Sequence, residues 1–406
     1  MENKTIAKIF IWSSVIVFSV FLMRILIDGY TFWSSTDIKY DVTGQIGDFV
    51  GGIIGTIISA AGFYFLYLTF NDQRNAFEKE RLESKYFDLI KLHRDNVSEL
   101  KFDATNLKDN HDSLFIEAML YEGKSVFKVI FNQFIMCKNE LRIFFKKTPI
   151  YTVEYEKQLL KDPYIIKNNI DIDLLAKIDI CYSIVFYGLS SEGLLILNEI
   201  FKEKYRPELI GKILRYISLK PANDPDILKK WIAINKKSTK KDRIRAVELV
   251  YNWRRFKKRP SEEDLADVVE NYHNMYTKYY GGHQFRLGHY YRHLFHTVKF
   301  INNQKNIDYP TKYEYIKILR AQLSTYEQAV LFTNSLSKMG KSWELKPEID
   351  SKLEGFSKHD FELITKYNLI KNLPGDYIFG IPFKYFFPEI EYESDEKEKT
   401  KRAKYK

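Results

Sequence analysis

Two apolar runs open the chain, and nothing comparable follows. Residues 49–70, FVGGIIGTIISAAGFYFLYLTF, are 22 residues without a charge. At about 1.5 Å rise per residue, a helix of that length matches a hydrocarbon core of about 30 Å. The pattern predicts a membrane span. Residues 6–27 form a second, weaker candidate, with Lys8 and Arg24 bracketing an uncharged core of fifteen residues. Such long side chains reach the headgroups when they lie near helix ends. A cleaved signal peptide needs small residues after its apolar core, whereas MRILIDGYTFW is bulky, so an uncleaved span is expected. Lys4 and Lys8 precede the first run, and Arg74, Lys79, Arg81 and Lys85 follow the second. The intervening loop carries Asp28, Asp37, Asp41 and Asp48 against Lys39. This asymmetry predicts a two-span anchor over residues 1–70 in the cell (inner) membrane, with both termini cytoplasmic.

Beyond the anchor the apolar positions recur at helical spacing. Residues 71–106 read as a charged helical stalk whose apolar residues Phe77, Leu82, Tyr86, Leu89, Ile90 and Val97 define one buried face. A turn-rich break, LKDNHDS, follows near residues 107–113, then an apolar helix with a basic end running up to Pro149. DIDLLAKIDICYSIVFYGLSSEGLLILNEIFK, residues 171–202, reads as two helices joined at YGLSSEG, with Gly188 as a C-terminal cap and Ser190 or Ser191 as an N-terminal cap. No segment shows strand alternation. The expected class is therefore mostly α, with an α-helical cytoplasmic domain over residues 107–388 and a charged, mobile tail over residues 389–406.

Small residues mark the second apolar run. Gly47, Gly51, Gly55 and Ser59 recur every four residues, a stripe that lets helix backbones approach closely. Its first expected use is to dock the two spans of one chain, and its second is to assemble several chains into a homo-oligomer.

Composition sharpens the picture in one place. The net charge is +10, yet residues 229–259 alone hold thirteen Lys or Arg against two acids, so the remainder is close to neutral. Lys236, Lys237, Lys240, Lys241, Arg243, Arg254, Arg255, Lys257, Lys258 and Arg259 form the dense part of this basic patch. It reads as a solvated face, or as a surface for anionic lipid or nucleic acid, with Trp231, Tyr251, Trp253 and Phe256 available to stack on bases. The two cysteines, Cys137 and Cys181, are too few for a disulfide framework or a structural zinc site and fit a reducing compartment. The chain contains no GxxxxGK[ST] loop, GxGxxG fingerprint, GxSxG elbow or HExxH pair. Those absences argue against ATPase, dinucleotide-binding and serine-hydrolase chemistry.

The stretch GGHQFRLGHYYRHLFHTVKFI, residues 281–301, concentrates four of the eight histidines. His289, Arg292, His293 and His296 fall at i, i+3, i+4 and i+7, one continuous helix face, while Tyr290, Leu294, Val298 and Ile301 face inward. Arg292 on that face repels a cation, and no acid lies in the stretch to complete a shell, so no metal and no cofactor are expected. Arg286 followed six residues later by His293 resembles the RxxxxxxH signature of HEPN ribonucleases. There Arg holds phosphate and His acts as acid or base. The residue after the Arg is Leu287 rather than polar, whereas Arg292 and His296 have polar His293 after the Arg but the wrong spacing. The competing reading is a polar helix interface.

LGHYYRHLFHTVKFI, followed by KYEYIKILRAQLSTYEQAVLFTNSLSKMG over residues 312–340, resembles the C-terminal signature of the phage abortive infection proteins, the AbiC-like membrane family. GQIGDFVGGIIGTIISAAGFYFLYLTFNDQ and CYSIVFYGLSSEG resemble the same family. The resemblance implies a bacterial defence protein that limits phage multiplication at the cost of the infected cell, answering an unknown phage trigger. It implies no catalytic residues. A non-enzymatic role leads, with a metal-independent, membrane-anchored ribonuclease and a nucleic-acid or partner scaffold as alternatives. In the second half of that signature Arg320, Gln322, Ser324 and Glu327 are expected within one helical segment. There they form a polar network in which Arg320 meets Glu327, or each of the two pairs across to Arg292 or His296 of the preceding helix.

Overall fold

The computed structural model describes residues 3–27, 40–104, 119–146, 149–237, 239–256, 272, 275–344 and 362–395. Helix dominates, in agreement with the expected class, and the chain divides into two units, Met1–Asp88 and Leu89–Lys406.

In the first unit, α1 (Asn3–Ile27) and α2 (Tyr40–Phe49) precede a π-helical turn, Val50–Ile54, from which α3 (Gly55–Ser98) continues. The turn falls on Gly51 and Gly52, where the absence of Cβ lowers the cost of an irregular helical backbone. The Thr56 hydroxyl donates back to the Gly52 carbonyl. The helical run Thr43–Ser98 is the one helix among the described residues long and apolar enough to cross a membrane, and α1 contributes a shorter apolar stretch, Trp12–Ile27. α1 packs near the π turn, where the Phe21 and Phe49 rings stack with centroids 3.7 Å apart. The glycine face takes no part in that contact. A Cβ at Gly47 or Gly51 would meet nothing within 4 Å, one at Gly55 would meet the Val50 carbonyl oxygen at 3.7 Å, and Ser59 is exposed. Phe77, expected on the buried face of the stalk, is exposed, whereas Ile90 and Val97 are buried.

The second unit begins with the end of α3. Two three-residue strands follow, β1 (Lys101–Asp103) and β2 (Leu120–Glu122), paired antiparallel with Phe102 opposite Tyr121. They are too short to show as alternation in the sequence. The expected break at 107–113 lies outside the described residues. The core is built on α4 (Ser125–Leu141), α7 (Ile172–Tyr187) and α14 (Thr325–Ser335), which pack on one another and are buried nearly all round. Helices hydrophobic on every face belong at the centre of a domain. Cys137 and Cys181 are buried free thiols there. Around this core lie α5 (Val153–Leu159), α6 (Pro163–Asn168), α8 (Ser191–Phe201), α9 (Pro207–Ile217), α10 (Pro225–Lys236), α11 (Lys240–Phe256), α12 (Gln284–Asn302) and α13 (Tyr309–Gln322).

The junction of α7 and α8 follows the expected chemistry. Gly188 caps α7 at φ +77°, and the Ser190 hydroxyl accepts from the Gly193 amide at 3.1 Å. The loop leading into α12 lies directly against it. Leu189 N–H donates to Tyr280 O and His283 N–H to Phe186 O, each at 2.8 Å. A Cβ on Gly188 would come within 2.6 Å of the Gly281 and Gly282 backbone, so a side chain is excluded by both space and φ.

Two expectations at the C-terminal end are corrected. Helix does not run through LRAQLSTYEQ: α13 stops at Gln322 and α14 starts at Thr325, because Ser324 and Glu327 form a capping box that nucleates a new helix. Residues 389–395, expected within a mobile tail, are packed. Ile390 and Tyr392 are buried, the latter against Phe383 of α16 (Phe383–Phe386), which follows α15 (Leu363–Lys366). The Glu391 and Glu393 amides add hydrogen bonds to Asn368 Oδ1 and the Lys371 carbonyl, so apolar anchors and backbone bonds hold that strip together.

Candidate functional site

α12 presents two faces, as its spacing requires. Tyr290, Leu294, Val298 and Ile301 are buried, His289, Arg292 and His296 are exposed, and His293 is half-buried between them. The histidines do not gather around a common centre. Among the described residues no group of three or more His, Cys, Asp or Glu could hold a metal ion. His293 turns instead to His93, near the end of α3, and their rings lie nearly parallel with centroids 6.3 Å apart.

His93 is the residue the sequence reading missed. It follows Ile90 by three positions and precedes Val97 by four, so it lies on the buried face of α3, and its side chain is 2% exposed. Its ring packs on Tyr290 at 5.4 Å, and its Nε2 is 4.0 Å from Glu327 Oε1. Tyr290 donates its hydroxyl to the same Oε1 at 3.3 Å. Glu327 Oε2 accepts from the Ser324 amide at 2.7 Å, and the Glu327 amide donates to Ser324 Oγ at 3.2 Å. One carboxylate thus caps α14 and seals it against α12 and the end of α3. The Lys124 ammonium, next to this seam, donates to the Gln322 carbonyl at 2.7 Å and so holds the C-terminus of α13.

Burial governs the electrostatics. It pushes the His93 imidazole down to about 4, with His293 and Lys124 reinforcing the shift. Burial likewise lowers His293, aided by His289 and His296. Burial raises the Glu327 carboxyl above the ordinary carboxylate value, against the bonds from Ser324 and the charge of Lys124. The seam is therefore built to hold neutral imidazoles. Among the described residues no nitrogen of His93 or His293 has a hydrogen-bond partner, although all four are buried.

The expected catalytic pairing is not brought together. Arg286 donates through Nε to the Lys101 carbonyl at 2.8 Å and through Nη1 to Gly282 O at 3.3 Å, while its guanidinium covers the Phe102 ring. It fastens β1 to the start of α12, whereas His293 faces His93. Arg292 is exposed and donates to the Gly288 carbonyl of its own helix, and the His296 ring stands edge-on to Phe295. His283, the first histidine of the stretch, bonds Gln133 Oε1 through Nε2 at 2.7 Å, and burial pushes it down to about 3.

The polar group expected on one helix is divided among three partners. Arg320 does not meet Glu327. Its Nη1 donates to the carbonyls of Tyr367 and Asn368, each at 3.2 Å, because the break at Leu323 turns the two side chains apart. Gln322 contributes its carbonyl to Lys124, and Ser324 and Glu327 form the cap. The signal for this arrangement was present as STYE, the S-x-x-E capping pattern.

The basic segment resolves into two helices, α10 and α11. Lys236, Lys241 and Arg255 are exposed, while Lys240 donates to Phe144 O, and Arg243 to Lys237 O and Asn235 Oδ1. Lys257, Lys258 and Arg259 lie outside the described residues. Trp231 is not available to stack on bases, since it is 2% exposed and packs on Tyr216 at 4.6 Å. Its spacing with Ile227 and Ile234 makes it core.

The fold and this seam define a mostly helical protein in which buried polar groups lock helices together. Residues 282–351 match the model of the family described as "Putative phage abortive infection protein". That match begins at the loop before α12 and takes in α12, α13 and α14, so two of the seam's three helices, α12 and α14, come from the family segment, and the resemblance read from the sequence is borne out there. No curated protein and no solved structure matches the chain.

Proposed function

We propose that this protein acts in phage abortive infection as a membrane-tethered, two-span protein of the inner membrane. Its family segment senses infection and its apolar helices carry out the response by assembling or disturbing the bilayer. One observation supports this reading above others. The helix that contains the apolar run continues without a break to Ser98, and His93 on its last turns packs on Tyr290, His293 and Glu327 of the family segment. A change in that segment therefore has a covalent connection, along one helix, to the apolar run. The open glycine face at Gly47 and Gly51 supplies a surface on which copies of the chain can meet.

Plating of phage on cells carrying the protein tests this, together with dye measurement of membrane potential after infection. Gly51→Leu with Gly55→Leu abolishes protection and the loss of potential, whereas His296→Ala, on the exposed face, keeps protection, and His293→Ala, in the seam, is read for RNA cleavage alongside protection. Protection that survives the glycine changes with oligomer size unaltered refutes assembly through the span. Protection lost in both histidine variants, with RNA cleavage lost alongside, replaces this reading by the ribonuclease one.

A further inference from the structure

α8, α9 and α11 line a half-open cavity of about 330 Å³, a volume within the range of small-ligand sites. Each helix contributes one face at helical spacing: Leu194 and Asn198 from α8, the positions 211, 214 and 215 along α9 with Ser218 capping its end, and 247, 250, 251 and 254 along α11. The walls are aliphatic, formed by Leu194, Leu214, Leu219, Val247 and Val250. The polar groups are few and of one electrical kind. Arg215 and Arg254 supply guanidinium groups, and no carboxylate lines the cavity among the described residues. Among the described residues, Arg215 Nε and Ser218 Oγ are buried without a hydrogen-bond partner. A buried donor left unsatisfied costs more than a bond to it gains, so such atoms mark a position where an acceptor belongs.

Gly211 points the same way. It sits inside α9, where glycine is a poor helix former and no positive φ requires it. A Cβ there would lie 3.7–3.9 Å from the guanidinium atoms of Arg215. The missing side chain keeps the head of Arg215 open to the cavity, while Tyr251 supports it from another side at 5.2 Å.

We infer that this cavity binds a small amphiphilic anion, a phosphate monoester or carboxylate carried on an apolar body, with Arg215, Arg254 and Ser218 on the anion and the aliphatic walls on the body. The guanidinium forks match a phosphate or carboxylate geometrically. A nucleotide fits less well, because its base and ribose need several further polar partners, and Asn198 is the remaining uncharged polar side chain besides the Tyr251 hydroxyl, to which Arg255 donates.

Hexyl phosphate is the probe, titrated calorimetrically into the full chain in a non-ionic detergent, with inorganic phosphate, hexanol and adenosine monophosphate in parallel. Saturable one-to-one binding of hexyl phosphate is expected, at least about tenfold tighter than either half alone. Arg215→Gln, which removes the anion partner, and Gly211→Met, which fills the cavity while favouring the helix, each weaken it by about tenfold or more. Helical content and melting temperature of the Gly211→Met protein stay at wild-type values. Hexyl phosphate that binds no tighter than inorganic phosphate, or equally well to Gly211→Met, overturns the assignment, since the exposed lysines of α10 and α11 then account for it. Adenosine monophosphate binding more tightly than hexyl phosphate overturns the choice of an apolar body. Nanodiscs of phosphatidylcholine with and without phosphatidate identify the source: displacement of hexyl phosphate by the anionic discs alone assigns a membrane lipid, and its absence assigns a free solute.

Discussion

His93→Leu perturbs the seam at its least compensated point. Both imidazole nitrogens of His93 are buried without a hydrogen-bond partner among the described residues, so an apolar side chain of similar size forfeits no hydrogen bond there. At pH 7.5 stability should change by less than about 1 kcal/mol, or rise. Acid separates the two proteins. The folded-state value of His93 is about 4 against 6.5 for the free side chain, so the unfolded chain takes up the proton first. The contribution is fully present above 6.5 and is lost as the pH falls towards 4. At pH 5, about 1.5 units below the free value and at about 1.4 kcal/mol per unit, wild type has lost about 2 kcal/mol through this residue. The slope of wild type alone is not diagnostic. His283, pushed down to about 3, acts in the same direction, while Glu344, raised to about 7 by burial, stabilises the fold as it takes up its proton on acidification. The difference between variant and wild type cancels both. Urea unfolding of the full chain, followed by the fluorescence of the tryptophans, measures it, with Trp343 packed on Phe295 of α12 as a local reporter. The variant should gain about 2 kcal/mol on wild type between pH 7.5 and pH 5. A difference that does not vary with pH refutes the neutral, desolvated state assigned to His93. A variant more than about 2 kcal/mol less stable at pH 7.5 refutes its unpartnered geometry.

Two further changes follow from the backbone. Ser324→Ala removes the side-chain half of the capping box and should lower stability by about 1 kcal/mol, with Ser324→Thr restoring most of it; equal melting temperatures for all three would contradict the cap. Gly188→Ala forces a Cβ to within 2.6 Å of the Gly281–Gly282 backbone at φ +77° and should cost on the order of 2–4 kcal/mol, read as a lower melting temperature or loss of folded yield.

Much of this architecture was legible along the chain. The inward stripe Tyr290, Leu294, Val298, Ile301 and the caps at Gly188 and Ser190 are local patterns, and the structure reproduces them. The helix break at Leu323 was legible as well, in STYE, but the surrounding helical periodicity outweighed a four-residue cue. Residues 389–395 were misjudged because charges flank Ile390 and Tyr392, and burial of two side chains depends on what they meet.

Sequence by itself determined the helical class, the faces of the helices and the family signature, because these follow from periodicity over a few turns. Tertiary structure decided which polar residues meet. His93 lies some 200 positions from His293 and Glu327 more than 30 beyond it in the numbering, and no local spacing joins them. The same holds for Arg215 and Arg254, which face one cavity because α9 and α11 pack together. A side chain's direction follows from its own helix, but its partner is set by the packing of the others, and there the free energy of burying polar groups selects among the combinations that spacing leaves open.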